Sequence, residues 1–264
     1  MTNRIDKKFK ELKRRGKKAF IAYVTAGDPG LKMTVRIVLA LERAGADIVE
    51  LGIPFSDPVA DGPTIQAASQ RALANGASLK KIFALVKGLR RKTEIPLVFM
   101  TYCNPVFKFG FEKFFRTCRE TGVDGVIVPD LPLEEAGDAM RSGKKNHVAV
   151  IFLAAPTSTG HRIRAIAAKS GGFIYYVSLT GVTGARKKLP GEIFSNVRAI
   201  KALTDKPVAV GFGISAAKQA RSIAGTADGV IVGSAIVNII SENKDTIARV
   251  SKLARGLASA IHDA

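Results

Sequence analysis

The chain has 264 residues, 47% of them hydrophobic and 24% charged, and a formal net charge of +19. This is the composition of a soluble globular protein. The two cysteines, Cys103 and Cys118, form no metal-ligand spacing and no disulfide framework. No apolar run, Val148 to Pro156 included, reaches the ~18 residues of a membrane span. The opening Met1–Lys8 lacks the apolar core of a signal peptide, so a cytoplasmic location is expected.

Taken in chain order, the first feature is basic. Residues 1–18 hold Arg4, Lys7, Lys8, Lys10, Lys13, Arg14, Arg15, Lys17 and Lys18 against only Asp6 and Glu11. Ile5, Phe9 and Leu12 keep helical spacing, which predicts a helix over about 3–15 with one packed side and a wet remainder. A nucleic-acid or acidic-partner patch is the other reading, but no base-stacking aromatics are interleaved and no nucleic-acid motif is matched. Neither nucleic acid nor membrane is expected as a partner.

Eight apolar runs follow: Phe20–Thr25, Asp47–Leu51, Pro96–Thr101, Gly125–Val128, Val148–Leu153, Phe173–Ser178, Pro207–Gly211 and Asp228–Val232. They read as parallel strands covered on both faces. Between them lie amphipathic segments, Leu31–Ala44, Leu79–Arg91, Phe111–Thr121, His161–Ala168, Ile193–Leu203 and Ala216–Ala224. Ser78, Ser158 or Thr159, and Ser215 stand where N-caps belong. Eight βα units in this length predict a single-domain α/β fold over 1–264, a (β/α)8 barrel with an added N-terminal helix. A doubly wound sheet is the alternative, weakened because no Gly-x-Gly-x-x-Gly follows the first strand.

The chemistry concentrates where strands end. Glu50 is the second-last residue of the second strand and shares a face with Ile48. If that face is the barrel interior, desolvation raises its pKa toward neutrality, which suits a group that takes and gives a proton. The competing reading is a buried structural ion pair. Asp61 lies in the loop between Pro58 and Pro63, either as a second site carboxylate or as a turn or N-cap residue ahead of Thr64-Ile65-Gln66. Asp57 sits in an ordinary Ser-Asp-Pro turn signal. By alternation either Tyr175 or Tyr176 faces the barrel.

Three glycine-bearing loops, Thr180–Ala185, Gly211–Ser215 and Gly233–Ile236, resemble the phosphate site that many barrels build from loop N–H groups and a helix N-terminus. Thr180–Gly191, with Lys187 and Lys188 and no apolar periodicity, reads as a lid whose Thr183 could bond a catalytic group, or as an ordinary surface loop. His147, His161 and His262 show no ligand spacing and are read as structural; no metal is expected.

The segment Val49-Glu50-Leu51-Gly52-Ile53-Pro54-Phe55-Ser56-Asp57-Pro58-Val59-Ala60-Asp61-Gly62-Pro63-Thr64-Ile65-Gln66 closely resembles the signature of the tryptophan synthase alpha chain family. Thr25–Pro29, Met100–Pro105, Pro129–Pro132, Gly181–Gly184 and Gly211–Ile214 look like further landmarks of that family. The resemblance implies retro-aldol cleavage of indole-3-glycerol phosphate to indole and glyceraldehyde 3-phosphate. It implies Glu50 as the acid/base, Asp61 as the carboxylate on the indole N–H, Tyr175 beside them and Thr183 as the lid residue. Gly184, Gly213, Gly233 and Ser234 would cradle the phosphate, and Tyr23, Ile65, Met100, Leu153 and Phe212 would line the indole pocket.

The family works with a beta chain in an alpha2beta2 complex. The resemblance places the contact on Pro54, Asp57, Asn104, Pro105, Phe107 and Asp130. Pyridoxal phosphate is expected only on that partner, and no cofactor here. Lys108 and Phe109 depart from the family pattern, where polar residues are usual. A stand-alone lyase of the same fold, a non-catalytic regulator of a beta chain and a phosphosugar isomerase are the competing functions.

Overall fold

A computed structural model describes residues 3–177, 191–211 and 213–264. Helix α1 (Arg4–Arg14) is capped by Asn3, whose side chain accepts from the Ile5 N–H. Strand β1 (Ala19–Thr25) leads to α2 (Leu31–Arg43), β2 (Ile48–Gly52), α3 (Pro63–Ala74), α4 (Leu79–Leu89) and β3 (Leu97–Met100). Then come α5 (Cys103–Phe109), α6 (Phe111–Thr121), β4 (Gly125–Ile127), α7 (Gly137–Asn146), β5 (Ala149–Ile151), β6 (Leu153–Ala154), α8 (Gly160–Lys169) and β7 (Ile174–Val177). The chain ends through α9 (Glu192–Lys201), β8 (Val208–Gly211), α10 (Ala217–Ala224), β9 (Gly229–Val232), α11 (Ser234–Ser241) and α12 (Thr246–His262).

All strand pairs are parallel, in the order β5-β4-β3-β2-β1-β9-β8-β7-β6. The ends of that order, β5 and β6, are neighbours in the chain, so one segment closes the ring into a TIM barrel. The expected strand Val148–Leu153 is thus two strands, one pairing with β4 and the other with β7. The break has a cause: the Phe152 N–H donates to the Ser170 hydroxyl at 3.0 Å instead of joining a ladder.

Side-chain alternation sorts the residues into two layers. Ala19, Ile21, Ile48, Val98, Ile127, Ile151, Tyr175, Ala209 and Ile231 fill the barrel interior. Ile5, Phe9 and Leu12 of α1 join them and close the end where the strands begin. The alternate residues, such as Phe20, Val49, Leu51, Phe99 and Tyr176, pack outward under the helices. Burying these aliphatic side chains stabilises the fold by roughly 1.5–3 kcal/mol each.

Ser78 and Thr159 cap their helices as expected, accepting from Lys81 and Arg162 N–H. Ser215 does not; there the Gln219 side chain accepts from the N–H groups of Ser215 and Ala216. His262 has the structural role read for it, meeting Asp47 at 2.8 Å between α12 and the start of β2. Among the described residues no helix is long and apolar enough to cross a membrane.

Candidate active site

The site lies at the ends of the strands. Tyr23 of β1 pairs in register with Glu50 of β2, so both side chains enter the barrel in one row. Glu50 is 1% exposed, and among the described residues neither carboxylate oxygen has a hydrogen-bond partner. Among the described residues no structural ion pair is made by Glu50. Desolvation first, and the Asp61 charge second, push the Glu50 pKa up to about 8.

Asp61 comes from the loop between β2 and α3. The helix begins at Pro63 with Gly62 as N-cap and no side-chain cap, so Asp61 is not a capping residue. Its Oδ2 instead accepts the Tyr102 hydroxyl at 3.0 Å. That hydroxyl in turn accepts the Ala60 N–H at 3.0 Å, which fixes which way its proton points. Burial raises the Asp61 pKa to about 6, and the Tyr102 hydrogen bond opposes the rise. The Gln66 side chain donates to the Asp61 backbone carbonyl at 2.8 Å, anchoring the loop to α3.

Alternation resolves the tyrosine pair. Tyr175 faces the barrel, whereas Tyr176 faces outward and its hydroxyl accepts from Asn196 at 3.0 Å. Burial raises the pKa of Tyr23 and of Tyr175, and carboxylate charge adds to it, from Asp61 first at Tyr23 and from Glu50 first at Tyr175. Both remain protonated donors. Two glycines make room for these rings. A Cβ at Gly52 would sit 2.1 Å from the Tyr23 hydroxyl, and one at Gly211 would sit 2.6 Å from that of Tyr175.

Tyr23, Ile65 and Met100 form one apolar cluster at the mouth with Ala68 and Val237. Leu153 packs with the inner layer, which Met100 also touches. Gly213 follows β8 and Gly233 follows the adjacent β9, and Gly233 and Ser234 open α11. The first N–H groups of a helix have no partner within it, so this end offers donors to an anion. Thr183, Gly184 and Phe212 lie outside the described residues.

Around the mouth, Asp57, Asn104, Phe107 and Asp130 are exposed and Pro105 is half-buried. Asp130 also accepts the Cys103 N–H at 2.8 Å, closing the open end of α5. Pro54 is buried and shapes the course of its loop from beneath. Val59 and Phe107 stand out as apolar side chains 82% and 70% exposed. The departure at Phe109 is internal: its ring packs 5.6 Å from Phe83 and 6.3 Å from Phe114, while Lys108 is exposed.

Tyr102, Gln66 and Val59 were not singled out from the sequence. Tyr102 falls inside the Met100–Pro105 landmark, and that was its only signal. Among the described residues no group of three or more His, Cys, Asp or Glu could hold a metal ion.

Comparison with known proteins agrees with the barrel fold. The family model described as tryptophan synthase alpha chain matches residues 9–262. A tryptophan synthase alpha chain from Geotalea daltonii is 50% identical over 260 residues, 98% of each chain. The crystal structure of tryptophan synthase subunit alpha from Legionella pneumophila superposes with a TM-score of 0.92 at 39% identity, covering 99% of both chains. A chain of the tryptophan synthase a2b2 complex from Pyrococcus furiosus gives 0.86 at 40% identity, over 91% of this chain and 98% of that one. With its barrel, its buried Glu50 beside Asp61 and this agreement along its length, the chain belongs to the tryptophan synthase alpha chain family.

Proposed function

We propose that the chain, as one barrel domain over 1–264, cleaves indole-3-glycerol phosphate to indole and glyceraldehyde 3-phosphate as the alpha subunit of tryptophan synthase. The observation that carries the reading is Glu50: a buried carboxyl whose two oxygens have no partner among the described residues, raised to about 8, beside an Asp at about 6. Desolvating a carboxyl without a hydrogen bond costs several kcal/mol and is unusual unless a ligand supplies the partner.

At neutral pH Glu50 starts protonated and Asp61 mostly ionised. Glu50 gives its proton to indole C3, and the positive charge that develops on the ring N–H is met by the Asp61 carboxylate. Glu50, now a carboxylate, takes the proton of the hydroxyl on the carbon attached to C3. The bond between that carbon and C3 breaks, its electrons return to the ring, and the carbon leaves as the aldehyde. Proton count is conserved, and Glu50 ends protonated as it began.

Gly184, Gly213, Gly233 and Ser234 would hold the phosphate, and Thr183 would order Asp61 as the lid closes. Tyr23, Ile65, Met100, Leu153 and Phe212 would enclose the indole. The protonated ring takes up the electrons of the breaking carbon–carbon bond and Glu50 handles the protons, so no cofactor of its own is expected. The exposed Val59 and Phe107, flanked by Asp57, Asn104 and Pro105, would seat the pyridoxal-phosphate beta chain that receives the indole. With Lys108 on that rim, the partner should be acidic opposite it.

Steady-state turnover of indole-3-glycerol phosphate by the parent and by Glu50→Gln tests the reading. No cleavage by the parent, with or without a beta chain, would sink it, and equal rates would remove Glu50 from its role.

A further inference from the structure

The Thr25–Pro29 landmark has no part in the chemistry above, yet the turn it forms is tied to α3 and its C-cap through Asp28 and Pro29, and to α2 through Gly27. Asp28 is 2% exposed and is gripped by Arg71 of α3 in a two-pronged pair, Nε to Oδ1 at 2.9 Å and Nη2 to Oδ2 at 2.7 Å. The Asn75 side chain donates to the Pro29 carbonyl at 2.8 Å. Gly27 has a φ of +96°, its N–H donates to the Thr34 hydroxyl, and a Cβ on it would lie 2.6 Å from the Cβ of Ala77. The turn is therefore seated against the second half of α3 with no slack.

The first half of α3 faces the site. Gln66 holds the Asp61 carbonyl, and Ile65 and Ala68 pack on Val237 of α11, the helix that begins at Gly233 and Ser234. One rod thus touches the Asp61 loop at one end, the candidate phosphate helix along its side, and the Asp28 turn at the other end.

We propose that Asp28 and Arg71 are positioning residues: by fixing the tilt and rotation of α3, they hold Asp61 in reach of the indole N–H and in register with the phosphate helix. The proposal rests on the lyase reading given above. A planar guanidinium held on both nitrogens fixes direction as well as distance, which a lysine cannot do. Pro63, two residues after Asp61, precedes Arg71 by eight residues, about 12 Å of helix at 1.5 Å per residue. A tilt of about 4° there displaces Asp61 by about 1 Å, and misplacement on that scale costs roughly 10²-fold in rate.

The variants Arg71→Lys, Asp28→Asn, the double variant and Gln66→Met are assayed well below their melting temperatures. For Arg71→Lys and Asp28→Asn we expect kcat for indole-3-glycerol phosphate to fall roughly 10- to 100-fold with KM changed less than about threefold. The acid limb of the pH profile should move to higher pH, as Asp61 loses its alignment with the Tyr102 hydroxyl. The double variant should be no slower than the worse single one. Gln66→Met, which leaves the ion pair intact, should lower kcat with little change in melting temperature, and it keeps the test open if Arg71→Lys does not fold. Folded variants with kcat within about twofold of the parent, or a double loss equal to the product of the single ones, would overturn the proposal. Parent turnover is read in the same assay: its absence counts against the lyase reading, whereas parent-like variants count against the positioning role alone.

Discussion

Each end of the barrel buries a carboxylate, and the two are treated in opposite ways. Asp124, where β4 begins, is 4% exposed and completely partnered. Arg90 reaches its Oδ2 at 2.7 Å, Arg4 reaches Oδ1 at 3.0 Å, and the Leu97 N–H donates to Oδ2 at 2.9 Å. Glu50, where β2 ends, is 1% exposed and has no hydrogen-bond partner among the described residues. Burial is equal, so burial alone does not mark a functional group; the unfilled hydrogen-bonding capacity does. At the closed end, charge is spent on tying α1 and α4 to the strands. At the open end it is left for a ligand.

The comparison breaks most sharply at Glu50. Replacing it by Gln keeps shape and removes the transferable proton, so kcat should drop by about 10²–10⁴. Stability should respond in the other direction. A carboxyl near 4.5 when unfolded and about 8 when folded binds its proton more tightly in the native state. Native stability is then greatest below the unfolded value and declines as pH rises toward about 8, by up to about 1.4 kcal/mol per pH unit. Asp61, raised to about 6, adds its own decline below that pH, so denaturant titrations between about pH 6 and 8 should show the slope in the parent and those of Glu50→Gln should lack it. A parallel decline in both would mean that Glu50 is not the titrating group. The parent's kcat/KM should rise through about 6 as Asp61 ionises and fall through about 8 as Glu50 loses its proton. Asp61→Asn should remove the first limb.

The matching change at the closed end is Asp124→Ala. It removes the carboxylate that Nη2 of Arg90 meets and leaves the charge of this side chain, 10% exposed, without its counter-ion there. Removing one member of such a buried pair costs about 3–5 kcal/mol. Urea unfolding should register that loss, while kcat well below the melting temperature stays within about twofold. A loss of turnover without a loss of stability would erase the distinction between the two ends.

The difference between the ends also governs what was legible in the sequence. The barrel followed from strand-length apolar runs, and Glu50 was visible because an acid inside such a run is anomalous. Ile48 fixed its direction by simple alternation. Asp61 was ambiguous, since a Pro-rich loop before a helix is also where capping carboxylates occur; the Gly62 cap removes that capping reading. Tyr102 itself was hidden because its partner is 41 residues away. The Arg4, Arg90 and Asp124 cluster joins positions as much as 120 residues apart and leaves no local pattern. Helix α7 was missed for a different reason, as its sequence, Gly-Asp-Ala-Met-Arg-Ser-Gly-Lys-Lys-Asn, carries two glycines and few apolar residues. The split at Phe152 depends on a serine eighteen residues later.

Tyr102 gives the smallest and most diagnostic change, because it separates a partnered carboxylate from an unpartnered one inside the same site. Tyr102→Phe leaves the ring, which lies 5.4 Å from that of Phe55, and deletes only the hydroxyl between the Ala60 N–H and the Asp61 carboxylate. Asp61 then loses the hydrogen bond that opposes its desolvation, so its pKa moves above about 6. The acid limb of kcat/KM should shift to higher pH with it. A hydrogen bond to a charged group is worth about 1.5–3 kcal/mol, and part of this is recovered by the substrate N–H, so the loss in kcat at pH 8 should be about tenfold or less. At pH 6 the loss should be larger, because fewer molecules carry an ionised Asp61. Equal losses at the two pH values would show that the hydroxyl places Asp61 without tuning it, and would make this carboxylate more like Asp124 than like Glu50.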